Sequence, residues 1–194
     1  MYGLFLRALQ NYVCVTFGVE PLARALAAAG APPEGFEPLL RYEHDTLRLF
    51  LSTVCAELGR PVTAILEDLG TFVVTDAGHS AARRLLRFGG ATFGEFLFSL
   101  DELPERMRLA LPDAELPLLH LTDLGEGQFR LICATDCSEL GFLLLGILRA
   151  MADDYGALVT IEAERADDHA AVLSLRLLDA GFAAGRPFDL SAAG

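Results

Sequence analysis

Apolar positions in the first half of the chain recur at helical spacing. Leu4, Phe5, Ala8, Leu9 and Tyr12 predict an amphipathic helix over Tyr2–Phe17. Pro21 suits the first turn of a second helix that stops at Gly30. Residues 31–42, with Pro32, Pro33 and Pro38, read as a loop. Asp45 is the expected cap of a third helix, which carries Leu47, Leu49, Phe50, Leu51, Val54 and Cys55 and ends at Gly59. Pro61 opens a short helix through Ile65 and Leu66 that Gly70 closes, and residues 72–88 form a further helix broken by Gly89-Gly90. Thr92 then caps a helix containing Phe93, Phe96, Leu97 and Leu100.

After Pro104 the pattern changes. Pro112 and Pro117 bracket a loop, and residues 118–121 and 128–133 alternate as two strands joined at Gly125-Glu126-Gly127. Asp136 or Ser138 can cap a helix over 139–152 that is apolar nearly all round and is therefore expected to be buried. Residues 157–164 and 170–177 alternate as two more strands. The prediction is an α+β fold over 1–180: a helical N-terminal lobe over about 1–65, and a lobe over about 66–180 with a C-terminal antiparallel sheet and one long buried helix. The Gly/Ala-rich stretch 181–194 reads as a flexible tail.

Composition sharpens this picture. The 194 residues are 53% hydrophobic, yet the longest apolar run, Leu140–Leu148, is interrupted by Gly141 and Gly146 and ended by Arg149. No transmembrane segment is expected from such a run, so the apolar excess goes into a core, a lined cavity or an exposed patch. A net charge of −12 repels phosphate backbones, which argues against nucleic acid as a partner. The start of the chain lacks the pattern of a signal peptide, and a cytoplasmic location follows. The four cysteines, Cys14, Cys55, Cys133 and Cys137, are then expected as free thiols.

Several local motifs, in this order and spacing, resemble the haem-nitric-oxide/oxygen-binding (H-NOX, HNOB) domain family of bacterial and related sensors. They are Met1-Tyr2-Gly3-Leu4, Leu58-Gly59-Arg60-Pro61, the stretch from Ile65 to Gly70, Phe93-Gly94-Glu95-Phe96-Leu97, Leu100-Asp101-Glu102-Leu103, and Pro112 with Pro117. The resemblance spans about residues 1–178 and implies an H-NOX-like fold.

The departures concern haem. Where the family has the histidine that ligates iron, directly after its leucine–aspartate–x–leucine segment, this chain has Pro104, which carries no donor atom. Where the family grips the haem propionates with tyrosine–x–serine–x–arginine, this chain has Cys133, Thr135 and Cys137, with Asp136 adding negative charge. Loss of the arginine removes a bidentate carboxylate clamp. Haem is therefore expected to be absent. The substitute axial ligand to weigh is His79, whose other reading is a partly exposed helical histidine. A Cys133 thiolate lies on the wrong side of the porphyrin, and the Cys133/Cys137 spacing is weak evidence for zinc. No metal site is expected.

No nucleophile set, paired carboxylates or phosphate loop is evident, so the chain is not read as an enzyme. Asp153-Asp154, Asp167-Asp168 and Glu162 with Glu164 read as solvated acids. Arg83, Arg84 and Arg87 form a basic patch, read either as surface solvation or as a docking spot for an acidic partner or carboxylate ligand. The leading expectation is a haem-free sensor domain that holds a lipophilic small molecule in a hydrophobic pocket lined by Phe50, Phe72, Phe88, Phe93, Phe96, Leu97, Met107 and Leu118. By the resemblance, ligand binding would be passed to a signalling kinase or cyclase. The alternatives are a haem-based NO/O2 sensor using a substitute ligand, and a ligand-free protein-interaction module.

Overall fold

The computed structural model describes residues 3–110, 117–135, 139–165 and 170–188, except for the side chains of residues 79, 80, 110, 164 and 165. The expectations placed on Met1, Tyr2, Pro112, Asp136, Cys137, Ser138, Asp167, Asp168, the side chains of His79 and Glu164, and the tail beyond Phe188 fall outside the described residues. The chain divides into two compact units, Met1–Leu69 and Gly70–Gly194.

The first unit is helical. It contains α1 (Gly3–Phe17), α2 (Val19–Ala28), α3 (His44–Leu58) and the first part of α4 (Val62–Thr75). Their apolar stripes meet in a core of Leu6, Leu9, Val13, Leu26, Phe50, Val54, Ile65 and Leu66, all at most 3% exposed. The proline-rich loop after α2 is anchored in this core by Phe36, whose ring packs 4.9 Å from that of Phe50. Its backbone is held by buried Gln10: the amide N–H of Phe36 donates to Gln10 Oε1 at 3.0 Å. At the α1–α4 seam Tyr12 donates to Asp68 Oδ2 at 3.2 Å, and Arg60 pairs with the same carboxylate. Burial first, and the Asp68 charge second, push the Tyr12 phenol up to about 12. Asp45 is not the α3 cap. Glu43 holds that position, and Asp45 sits in the first turn, where its charge complements the helix dipole.

The second unit is built on a four-stranded antiparallel sheet of β1 (Leu118–Gly125), β2 (Gln128–Ala134), β3 (Leu158–Arg165) and β4 (Ala170–Asp179), in the order β1-β2-β4-β3. The β1–β2 hairpin turns through Glu126 (φ 53°) and Gly127 (φ 73°), the left-handed pair that a two-residue hairpin loop requires. One face of the sheet supplies Phe129, Leu131, Cys133, Ile161, Ala171, Leu173 and Leu175 to the core. The helices of this unit are α5 (Ser80–Arg87), α6 (Phe93–Phe98), α7 (Leu103–Ala110) and α8 (Leu140–Tyr155). α6 begins with a capping box: Glu95 N–H donates to Thr92 Oγ1 at 3.2 Å, and Thr92 N–H to Glu95 Oε2 at 3.3 Å.

α8 is the spine of the unit, with Leu144, Leu145, Leu148 and Met151 buried. It is approached closely at two places. A Cβ on Gly70 would lie 2.1 Å from the Leu143 carbonyl oxygen, and a Cβ on Gly141 would lie 2.3 Å from Ala171 Cβ. Gly70 therefore does not stop a helix. It sits inside α4, which runs on to Thr75, and its missing side chain admits α8. A three-residue 3₁₀ turn at Ala77–His79 separates α4 from α5, where the sequence predicts a single helix. The described part of the tail is also fastened: Ala183 N–H donates to Gly156 O at 3.0 Å and Arg186 N–H to Asp154 O at 2.8 Å. This differs from the loose segment expected from its glycines and alanines.

Gly70→Ala is expected to destabilise the fold by about 1–3 kcal/mol through overpacking, despite alanine's better helix propensity. A lower urea midpoint with an unchanged slope would show this; an unchanged midpoint would mean that α8 moves aside freely.

Candidate functional site

The candidate site is the part of the second unit that runs from the end of α6, through α7, to the end of β2. Leu100 is fully buried, Asp101 and Glu102 complete a 3₁₀ turn, and Leu103 and Pro104 open α7. Proline is tolerated there because first-turn N–H groups have no partner inside the helix. Pro104 is buried and Leu103 is 7% exposed. Asp101 fixes this turn to the sheet. Its Oδ1 accepts the Leu121 backbone N–H at 2.7 Å, and its Oδ2 lies 3.6 Å from Nδ1 of the exposed His120.

On β2, Cys133 points into the core at 1% exposure, paired with Leu119 of β1 and Ala171 of β4. Burial pushes its thiol up to about 11, so it stays protonated and neutral near pH 7. A neutral thiol is a poor iron ligand. α8 starts flush against the same place, since Gly141 lies on Ala171, the strand neighbour of Cys133. Thr135 is half-buried at the end of β2. The described residues at these positions offer neither an axial donor nor a cation for propionates, so they do not fit haem held in the family's manner. No group of three or more His, Cys, Asp and Glu side chains able to hold a metal ion occurs among the described residues. Cys14, Cys55 and Cys133 are free thiols.

The eight residues expected to line one pocket fall in both units. Phe50 belongs to the core of the first unit. Phe93, Phe96 and Leu97 are fully buried in the second, with the two phenylalanine rings 6.2 and 5.8 Å from the Tyr155 ring. Met107 packs at the edge of that core, and Phe72 is half-buried on α4. Phe88 and Leu118 are 66% and 62% exposed; Phe88 lies in the turn after α5 and Leu118 begins β1.

Asp154, expected as a solvated acid, is 1% exposed. Arg83 Nε donates to its Oδ1 at 2.8 Å, and Arg87 Nε lies 3.6 Å from its Oδ2. The Arg87 guanidinium stands 4.0 Å over the Tyr155 ring and 5.1 Å from the Phe188 ring. Tyr155 donates to Gly90 O at 2.8 Å, and burial raises its phenol while Arg87 opposes the rise. Arg84, the third residue of the expected patch, is exposed. The signal for this node was an acid in the last turn of a largely apolar helix, together with two arginines one helical turn apart.

The comparisons agree with this architecture. Residues 2–163 match the model of the haem-NO-binding (HNOB) family, and the chain belongs to that family. It is 20% identical over 155 residues to soluble guanylate cyclase 89Db of Drosophila melanogaster, covering 80% of this chain and 23% of that protein. It is 22% identical over 120 residues to soluble guanylate cyclase gcy-31 of Caenorhabditis elegans, covering 62% and 17%. The chain thus spans less than a quarter of the length of these relatives. Its fold is that of solved H-NOX structures. A mutant of the T. tengcongensis H-NOX superposes with a TM-score of 0.76 at 16% identity, covering 93% of this chain and 99% of that one. An H-NOX protein from S. oneidensis in the Fe(II) ligation state gives 0.77 at 18% identity, covering 93% and 97%. Among the described residues no single helix is long and apolar enough to cross a membrane.

The buried Cys133 thiol sets a pH dependence. Because its folded pKa lies above the ordinary thiol value of 9.0, its contribution is fully present below pH 9 and is lost as pH rises toward about 11. Cys133→Val should flatten the fall in stability over that window, measured by urea unfolding across pH 7–11. An equal fall in both proteins would remove Cys133 as a cause.

Proposed function

We propose that this chain is a non-catalytic, haem-free H-NOX sensor module that answers an apolar small molecule and passes the response to a partner kinase or cyclase. The observation that carries the haem-free reading is the axial position. Leu100 and Leu103 enter the core and Asp101 grips β1, so the scaffold that would present a ligand is intact, yet the presenting residue is Pro104. The neutral Cys133 thiol supports the same reading, since it supplies neither a charge for propionates nor a thiolate for iron. Support for an apolar ligand is compositional: 53% hydrophobic residues and thirteen phenylalanines in a chain of this size. Support for a signalling partner is family membership and the guanylate cyclases among the relatives.

The test is absorbance of protein expressed with haem precursor and then titrated with hemin. The expected outcome is no sharp Soret band at stoichiometric hemin, with a folded circular dichroism spectrum. A stoichiometric band that disappears in His79→Ala would overturn the haem-free reading in favour of a gas sensor with a substitute ligand. Native mass spectrometry of the same preparation should show a co-purifying apolar molecule; the bare chain mass alone would favour a ligand-free interaction module.

A further inference from the structure

Residues 183–188 lie as a strap across the C-terminal end of α8. We propose that this strap is a releasable output element, docked only while α5 and α8 keep their register. The inference stands apart from the haem-free reading, because none of its residues occupies a family haem position.

The docking is built backbone to backbone. The last carbonyls of a helix lack partners inside it, and here Asp154 O and Gly156 O accept from Arg186 N–H and Ala183 N–H. Glycines face each other across this contact. A Cβ on Gly156 would lie 2.1 Å from Ala183 O, and a Cβ on Gly185 would lie 2.8 Å from Tyr155 O and 2.9 Å from Asp154 O. Gly156 also holds φ +75° as the left-handed end of α8.

Three separate elements meet at the strap. Arg83 of α5 reaches the buried Asp154 of α8 with Nε and the carbonyl of Pro187 in the strap with Nη2, at 3.2 Å. Arg87, one turn further along α5, is held between Tyr155 of α8 and Phe188 of the strap. Sliding α8 against α5 would therefore break the Asp154 bonds and remove the carbonyls that hold the strap.

The node is also incompletely satisfied, which suits a device with two states. Arg87 Nε and Nη1 and Asp154 Oδ2 are buried and make no hydrogen bond among the described residues. When Phe188 leaves, water can reach Arg87, so the released state recovers solvation in exchange for lost contacts. α8 is the element that would transmit a change, since its far side touches α4 at Gly70 and β4 at Gly141.

Hydrogen–deuterium exchange on the full chain tests the proposal. In the unmodified protein the Ala183 and Arg186 amides should exchange at least about tenfold more slowly than in an unstructured peptide. Arg87→Ala and Gly185→Val should each remove most of that protection while β2 and β4 keep theirs. Gly181→Ala, whose Cβ meets nothing within 4 Å, should leave it unchanged. Gly70→Ala, which meets α8 at Leu143 and Ile147 and does not touch the strap, should loosen the strap as well; Gly141→Ala is the second lever should Gly70→Ala fail to fold. An unprotected strap in the unmodified protein, or protection untouched by Arg87→Ala, overturns the docking. Strap protection unchanged in the folded lever variant overturns its role as an output.

Discussion

The second unit depends on burying α8 over most of its surface, with Arg149 and Asp153 turned outward. A helix with an apolar surface nearly all round cannot rest on a sheet and leave its back to solvent. Side-chain packing alone would hold its neighbours at ordinary interhelical distance. Glycine at Gly70 and Gly141 removes that spacer, so α4 and β4 reach the helix closely. The aromatic side chains of α6 then fill the space around Tyr155, and the sheet closes the remaining face. The same closeness makes the unit intolerant of small changes, because a well-packed interior passes a displacement on.

This arrangement explains which parts of the fold were legible. The β1–β2 hairpin, the Thr92 capping box and the buried character of α8 each follow from local chemistry: left-handed turn residues, a Thr/Glu pair at the right spacing, and a surface apolar nearly all round. Glycine was the ambiguous letter. Gly59 and Gly156 do end helices, in the left-handed conformation. Gly70 reads the same way in the sequence but lies inside a helix, because its role is set by a segment more than seventy residues further on. Asp45 failed as a cap because the chain enters α3 two residues earlier than the apolar pattern suggests.

The sequence offers the candidate site as a set of substitutions and not as a surface. Pro104 and Cys133 could be picked out because the residues around them resemble the family pattern. The proposed lining could not, since a phenylalanine at helical spacing reads alike whether it fills a core or walls a cavity. Phe50 and Phe93 are equally buried yet belong to different units. Charge misled in the opposite direction. Asp154 follows an equally acidic Asp153 in sequence, but one turns to solvent and the other inward to Arg83. A single residue step is about 100° around a helix, which suffices to separate a solvated acid from a buried ion pair.

The bond between Asp101 and the Leu121 amide has a consequence for how the molecule meets its own kind. β1 is an outer strand of the sheet, and such a strand presents N–H and C=O groups that a stray strand can template on. At Leu121 the outward N–H is already occupied by a carboxylate from its own chain. The aspartate thus serves as a guard against sheet extension between molecules as well as a fastening for the turn before α7.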